Sequence, residues 1–413
     1  MQTTPFPLTP STGTIREEQI IGREKEILNI LQSLSVQSIT IEEMRRMGKT
    51  LLLKKLVYLC NNNEIPEELK KENFKAIYFS LQGRKDLGEV IDTLIHGFNV
   101  FKKWYQIDLS KTSEFLNKLL GSVKVNVYGA EFSVNLPEYK QSWKKIFFQT
   151  LENVSDNLQK DNCKLILILD ELPIMLWEWY QAGRHDEVTE FLDILRERRQ
   201  ELESKGLRFV YCGSIGIKVI LQTLRNNLSY TGEPTNDMYE FNLNPFSKED
   251  SVFLMECYLL SGYTVDPGKK KKLFETVHEL CNGLPYYIAN LFLIIQSEFN
   301  KEINDTSISG SYDLILNNST YQKAFNQLKE RLVIYYRETS KLMTDLLSIL
   351  SRNAAGIAES QIIPQINGDE EKTKEALEVL VSDHYLTKTM TSDGRVYNFK
   401  YKIFKEWWRI NKA

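Results

Sequence analysis

In the stretch SITIEEMRRMGKTLLLKKL, residues 38–56, a short apolar run around Ile39 and Ile41 leads through Arg45, Arg46 and Met47 into Gly48, Lys49 and Thr50. Leu51, Leu52, Leu56 and Leu59 then recur at helical spacing, so residues 48–50 stand where a helix opens. Such a helix end attracts anions through its unpaired N–H groups and the positive end of its dipole; a lysine there adds charge and a threonine hydroxyl can hold Mg²⁺. The pattern G-x-x-x-x-G-K-[ST] has glycine where this chain has Glu43. A second cluster lies in KLILILDELPIML, residues 164–176, where five consecutive Leu and Ile residues end in Asp170 and Glu171. A run apolar on both faces is the mark of a parallel-sheet strand, and ligands of open parallel sheets bind beyond the carboxyl ends of such strands. Two carboxylates there call for a metal, protons or hydrogen-bond donors to offset their desolvation.

The elements that must position these groups follow from periodicity. KAIYFSL at 75–81 reads as a second buried strand, LRFVYCGSIG at 207–216 as another ending in Gly213 and Ser214, and MYEFNL at 238–243 as the last. A small polar residue such as Ser214 at a strand end can hydrogen-bond a phosphate or its attacking water. Strands alternating with helices over 36–245 predict an α/β, doubly wound parallel sheet. Residues 88–120 read as mostly helical and 122–136 as a β-hairpin insertion around Tyr128-Gly129. The helix at 191–206 carries Arg196, Arg198 and Arg199, expected on a solvated face.

Residues 1–20, with Pro5, Pro7, Pro10 and Gly13, read as an irregular arm, and 21–245 as the core domain. Residues 246–320 read as a helical lid and linker: Gly283-Leu284-Pro285 punctuates two helices, and the polar 304–318 is expected to be a linker or long loop. In 321–413, helices near 340–351, 358–366 and 369–383 precede two alternating strands around Asp393-Gly394, a winged-helix layout. Its third helix carries Asp369, Glu370, Glu371, Glu375, Glu378 and Asp383 against Lys372 and Lys374, a poor partner for phosphate; Lys388, Arg395, Lys400 and Lys402 make the wing friendlier. A protein contact or an intramolecular lid is therefore favoured over DNA. Phe404, Trp407 and Trp408 fall on one helical face and read as core.

The chain has 413 residues, 42% hydrophobic and 26% charged, with a net charge of −3 that gives no global reason for nucleic acid or anionic membrane as partner. Its five cysteines are scattered and never in C-x-x-C spacing, which argues against zinc and a disulfide framework and fits a reducing, cytoplasmic setting. No apolar run approaches the roughly 18 residues needed to cross a bilayer, and no export signal is evident.

In order along the chain, these motifs resemble the archaeal-type ATPases of the STAND branch of AAA+-like P-loop proteins, which also occur in bacteria. IIGREKE at 20–26 is similar to their F-x-G-R-E-x-E box, residues 43–50 to their G-P-R-R-x-G-K-T loop, Asp170-Glu171-Leu172-Pro173 to their D-E-h-P, Gly213-Ser214 to their Gly-Ser strand end, and residues 283–285 to their G-x-P box. The resemblance implies ATP and Mg²⁺. Lys49 would neutralise the β- and γ-phosphates, Thr50 and Asp170 would hold Mg²⁺, Glu171 would orient and deprotonate the attacking water, and Ser214 would sense the γ-phosphate. Arg45, Arg46, Met47 and Gly48 would form the loop, with Arg23 and Pro285 near the nucleotide. The implied activity is slow, Mg²⁺-dependent ATP hydrolysis serving a nucleotide-gated conformational switch. The alternatives are an ATP-gated DNA-binding regulator or loader, and an interaction scaffold whose site has degenerated. Glu43 bears on the choice: a like-charge contact at about 4 Å costs ~1 kcal/mol in water and ~4 at an effective dielectric of 20, up to a thousandfold in affinity. The loss is small where Glu43 points away or pairs with Arg45 or Arg46.

Overall fold

The computed structural model describes residues 4–13, 15–91, 93–94, 97–98, 137–366, 368–392 and 394–412. The hairpin expected at 122–136 and most of the helical region expected at 88–120 lie outside them. The chain forms two compact units: Lys25–Glu42 with Leu52–Asn242, and Met1–Glu24 with Glu43–Leu51 and Leu243–Ala413.

The first is the α/β unit expected from the strand runs. Strands β1 (Ile39–Glu42), β2 (Asn73–Ser80), β3 (Cys163–Asp170), β4 (Leu207–Gly213) and β5 (Tyr239–Asn242) make one parallel sheet in the order β2-β3-β4-β1-β5. Every residue of β1 and β4 is buried, and so is every residue of β3 but Lys164, because central parallel strands are covered on both faces. The sequence suggests the same burial for residues 75–81, yet β2 is an edge strand with alternate residues half-exposed, and β5 at the other edge buries only Phe241. Helix α1 (Glu24–Val36) precedes β1, and α2 (Lys49–Asn62), α3 (Pro137–Lys160), α4 (Leu172–Gln181), α5 (His185–Leu202) and α6 (Ile217–Leu228) lie between successive strands. In α6 the buried residues Ile217, Ile220, Leu221 and Leu224 form the i, i+3, i+4, i+7 stripe that a helix lays on a core.

The arginines of α5 are not all on a solvated face. Arg198 and Arg199 are buried. Arg198 lies over the Phe148 ring at 3.8 Å and pairs with Glu201 at 2.6 Å, while Arg199 binds the Tyr211 hydroxyl at 3.1 Å and pairs with Asp237. Their long stems cover apolar surface and their charges find partners at its margin, a combination that charge counting along the helix does not reveal.

The second unit is mostly helical: α7 (Lys248–Leu259), α8 (Lys270–Leu280), α9 (Pro285–Glu298), α10 (Asp305–Asn317), α11 (Lys323–Tyr336), α12 (Ser340–Arg352), α13 (Glu359–Ile362), α14 (Glu370–Ser382) and α15 (Lys402–Asn411), with a short parallel pair β6 (Thr264–Val265) and β7 (Glu302–Ile303). Strands β8 (Ile357–Ala358), β9 (Leu386–Thr391) and β10 (Gly394–Phe399) form an antiparallel sheet with β10 in the middle. The helices and the two main strands match those expected from 340 onwards; β8 is too short to leave a period in the sequence.

The linker expected at 304–318 is instead α10. Asn304 and Ser307 make a reciprocal capping box, the Asn304 side chain accepting from the Ser307 N–H at 2.8 Å and the Asn304 N–H donating to Ser307 Oγ at 2.9 Å. Ile308, Ser311, Tyr312, Ile315 and Leu316 then face inward. Small buried serines on that face hide the apolar stripe from a hydropathy reading.

As expected, Phe404, Trp407 and Trp408 are core: Trp407 is stacked on Phe325 with centroids 5.1 Å apart, and Tyr287 meets Phe404 at 5.7 Å. The five cysteines are all buried, and none of them is in a disulfide. Among the described residues no helix is long and apolar enough to cross a membrane.

Candidate functional site

The carboxyl ends of the central strands lie along one sheet edge: Asp170 is level with Ser80 and Cys212, and Glu42 with Gly213. Asp170, the last residue of β3, is buried. Its Oδ2 accepts a hydrogen bond from the Tyr78 hydroxyl at 2.6 Å, and its Oδ1 accepts from the Glu171 N–H at 3.1 Å. Burial, and after it the Asp170 carboxylate, push the Tyr78 pKa up, so the phenol stays a donor. Glu171 takes the left-handed conformation, φ 60° and ψ 26°, as the residue capping α4. Its Oε2 accepts from both the N–H and the hydroxyl of Ser214, at 2.9 and 3.1 Å.

The structure therefore brings Glu171 and Ser214 together, with the serine hydroxyl directed at the carboxylate. The short residues flanking them have a steric cause. A Cβ on Gly213 would come within 2.7 Å of Pro173 Cδ, so the glycine of one motif makes room for the proline of the other. Glu42, also buried, caps α6 by accepting from the Ile217 N–H at 3.0 Å, and a Cβ on Gly216 would meet its Oε2 at 2.8 Å.

The remaining predicted residues fall in the second unit. There the loop of Glu43–Leu51 folds around its own lysine: Lys49, buried, donates from Nζ to the carbonyls of Glu43 and, at 2.7 Å, of Met44. Gly48 has φ +84° and Arg46 φ 74°. A Cβ on Gly48 would touch Pro285 Cγ at an ordinary 3.8 Å, so it is the backbone angle and not space that favours glycine there. Thr50 is exposed at the second position of α2.

Arg23 staples this loop. Buried, it donates to the carbonyl of Met47 at 3.0 Å and to that of Asn244, with its guanidinium 4.7 Å from the centre of the Phe246 ring. Gly283, φ +64°, brings its carbonyl to the Phe246 N–H at 2.8 Å, and Pro285 starts α9. Arg46 lies over Tyr286 at 4.5 Å and reaches Gln327 at 3.4 Å. Arg45 is half-buried, and its charge acts on Tyr385.

Glu43 has a partner that the sequence reading does not name. Its carboxylate is 1% exposed and pairs with Lys400 at 2.6 Å, with His384 Nδ1 at 3.8 Å. The Met44 N–H donates to its Oε1 at 3.0 Å. Burial, then the same carboxylate, push the Tyr401 pKa up. Sequence reasoning placed Lys400 on a wing and did not connect it with the loop; no local signal could, since 357 residues separate the partners. Asp383, next to His384, pairs with Arg331 at 2.8 Å, both side chains 3% exposed.

No family profile matches the chain. No curated protein matches it either. Among solved structures it is similar to the ORC2 protein of Aeropyrum pernix, at 13% identity over 94% of this chain and 91% of that one, with a TM-score of 0.46. It is also similar to Drosophila ORC bound to DNA, at 10% identity over 100% and 95% with a TM-score of 0.41. The RuvB branch migration motor of Thermotoga maritima aligns at 11% identity over 91% and 92%, with a TM-score of 0.35. Likenesses this remote carry no functional assignment.

Proposed function

We propose that the chain is a cytoplasmic ATP-binding protein of the AAA+-like, STAND type, a slow Mg²⁺-dependent ATPase whose nucleotide state acts as a conformational switch. The observation that carries this reading is local: a buried strand, β1, leads through a tight loop with Gly48 at positive φ into a helix whose first two residues are Lys49 and Thr50. In this reading Lys49 leaves the loop carbonyls for the β- and γ-phosphates, a move between acceptors that costs little because the ammonium is hydrogen-bonded on both sides of it. Met47 and Gly48 give the phosphates their backbone, and Arg45 and Arg46 hold the loop's flank. Arg23, which braces the loop through the Met47 carbonyl, and Pro285 lie near the nucleotide. Glu171 orients and deprotonates water, and Ser214 reports the γ-phosphate by moving its hydroxyl between that phosphate and Glu171.

Asp170 and Thr50 offer hard oxygen donors, which suits Mg²⁺, an ion that takes most of its ligands from phosphate and water when it arrives with a nucleotide. The ion when bound would draw charge from the phosphate oxygens.

The C-terminal helices and hairpin read as a winged helix whose partner is a protein. The four basic residues that favour its wing are already matched: Lys388 with Glu378 at 2.6 Å, Arg395 with Glu359 at 3.6 Å, Lys402 with Glu406 at 3.6 Å, and Lys400 with Glu43. Cations neutralised by neighbouring acids release few counterions from DNA, which weighs against the loader reading. The degenerate-scaffold reading retains Glu43 in its favour.

Calorimetry with ATP, with and without Mg²⁺, tests the proposal. The expected result is micromolar binding, about −8 kcal/mol, weakened at least tenfold in Lys49→Ala, since a hydrogen bond to a charged group is worth about 1.5–3 kcal/mol. Equal binding by the intact chain and Lys49→Ala would overturn it.

A further inference from the structure

We propose that Lys400, from the end of the C-terminal hairpin, is a working part of the phosphate loop: it neutralises Glu43 and so makes the loop competent to accept an anion. This rests on the nucleotide reading above and deepens it.

Glu43 stands where the loop pattern has glycine, its carboxylate 1% exposed, and an unmatched charge so enclosed would repel any phosphate the loop received. Lys400 Nζ meets that carboxylate at 2.6 Å and is itself 24% exposed, while His384 Nδ1 lies 3.2 Å from Nζ and 3.8 Å from the carboxylate. Lys400 reaches this place because its backbone is fixed. Its N–H donates to the Tyr385 carbonyl at 2.9 Å, the Tyr385 hydroxyl to the Leu328 carbonyl at 2.8 Å, and the Ile403 N–H to Asn282 Oδ1 at 2.9 Å. His384 turns the chain there with φ 63° and Asn282 with φ 52°. The ammonium is thus delivered by two tight turns and a strand end to a carboxylate that is almost fully enclosed, where an ion pair is screened far less than at the surface. Lys400 does not bond the nucleotide in this proposal. It is a positioning residue that removes a repulsion, and the loop's affinity for phosphate then depends on the hairpin staying docked.

The test is ATP calorimetry and thermal unfolding on the full chain and on Lys400→Met, Lys400→Arg, Glu43→Gln and the double variant Glu43→Gln/Lys400→Met. Expected are ATP binding at least about tenfold weaker in Lys400→Met, retained in Lys400→Arg, at least as tight as the intact chain in Glu43→Gln, and restored in the double variant. Restoration also shows that Lys400→Met has not simply unfolded the protein. Unchanged or tighter binding by Lys400→Met overturns the proposal. So does a non-binding intact chain beside a binding Glu43→Gln, because Glu43 would then still repel, and that result leaves the nucleotide site standing. If all five proteins fail to bind, the nucleotide reading falls and the proposal with it. Additive shifts in unfolding midpoint for the two single substitutions likewise overturn the pairing.

Discussion

Several of the candidate site residues are held in unusual backbone conformations. Glu171 at φ 60° aims a carboxylate at Ser214, and Arg23 at φ 72° aims a guanidinium at two carbonyls. Such angles are uncommon for side chains bearing a Cβ and persist where the surroundings repay them. Replacing Glu171 with Gln keeps an oxygen that can accept from the Ser214 N–H and hydroxyl, so the strand ends should stay in place. The expected outcome for Glu171→Gln is ATP affinity within about threefold of the intact chain and phosphate release slowed about 10²-fold or more, measured by single-turnover hydrolysis. The strand-end positions of Asp170 and Gly213-Ser214 and the helix-opening position of Lys49 were legible from residue type and spacing alone. Lys400 was not: sequence shows what a residue can bond, and distant partners meet only through the fold.

At the scale of elements, legibility followed burial. The central strands announced themselves because a sheet covered on both faces needs unbroken apolar runs, whereas edge strand β2 kept the same composition with one side half-exposed. The apolar stripes of α12 and α15 were equally plain; α10 was hidden behind its serines. Since α10 begins on a capping box, its stability should depend on that box. Asn304→Ala is expected to lower the stability of the second unit by about 1 kcal/mol, with Asn304→Ser nearly neutral, as read by urea unfolding. An equal loss in both variants would assign the effect to something other than the cap. Pairing along the hairpin was illegible for a different reason: Lys388 with Glu378 and Arg395 with Glu359 join separate elements, so counting charges along one helix overstated the free cations of the wing.

Taken whole, the molecule has two compact units and five thiols enclosed in them: Cys60, Cys163 and Cys212 in the sheet unit, Cys257 and Cys281 in the other. Burial pushes the Cys60 pKa up to about 12 and raises that of Cys281 as well, so neither is a thiolate near neutral pH. A thiol-specific reagent can modify them only after the surrounding structure opens. The chain thus contains its own pair of clocks. Mass spectrometry of time-resolved alkylation, resolved by cysteine, should give one rate for the first three and another for the last two, the more fragile unit being labelled first. Saturating ATP should slow whichever clock belongs to the unit that the nucleotide stabilises; a single common rate for all five would mean that the two units open only together.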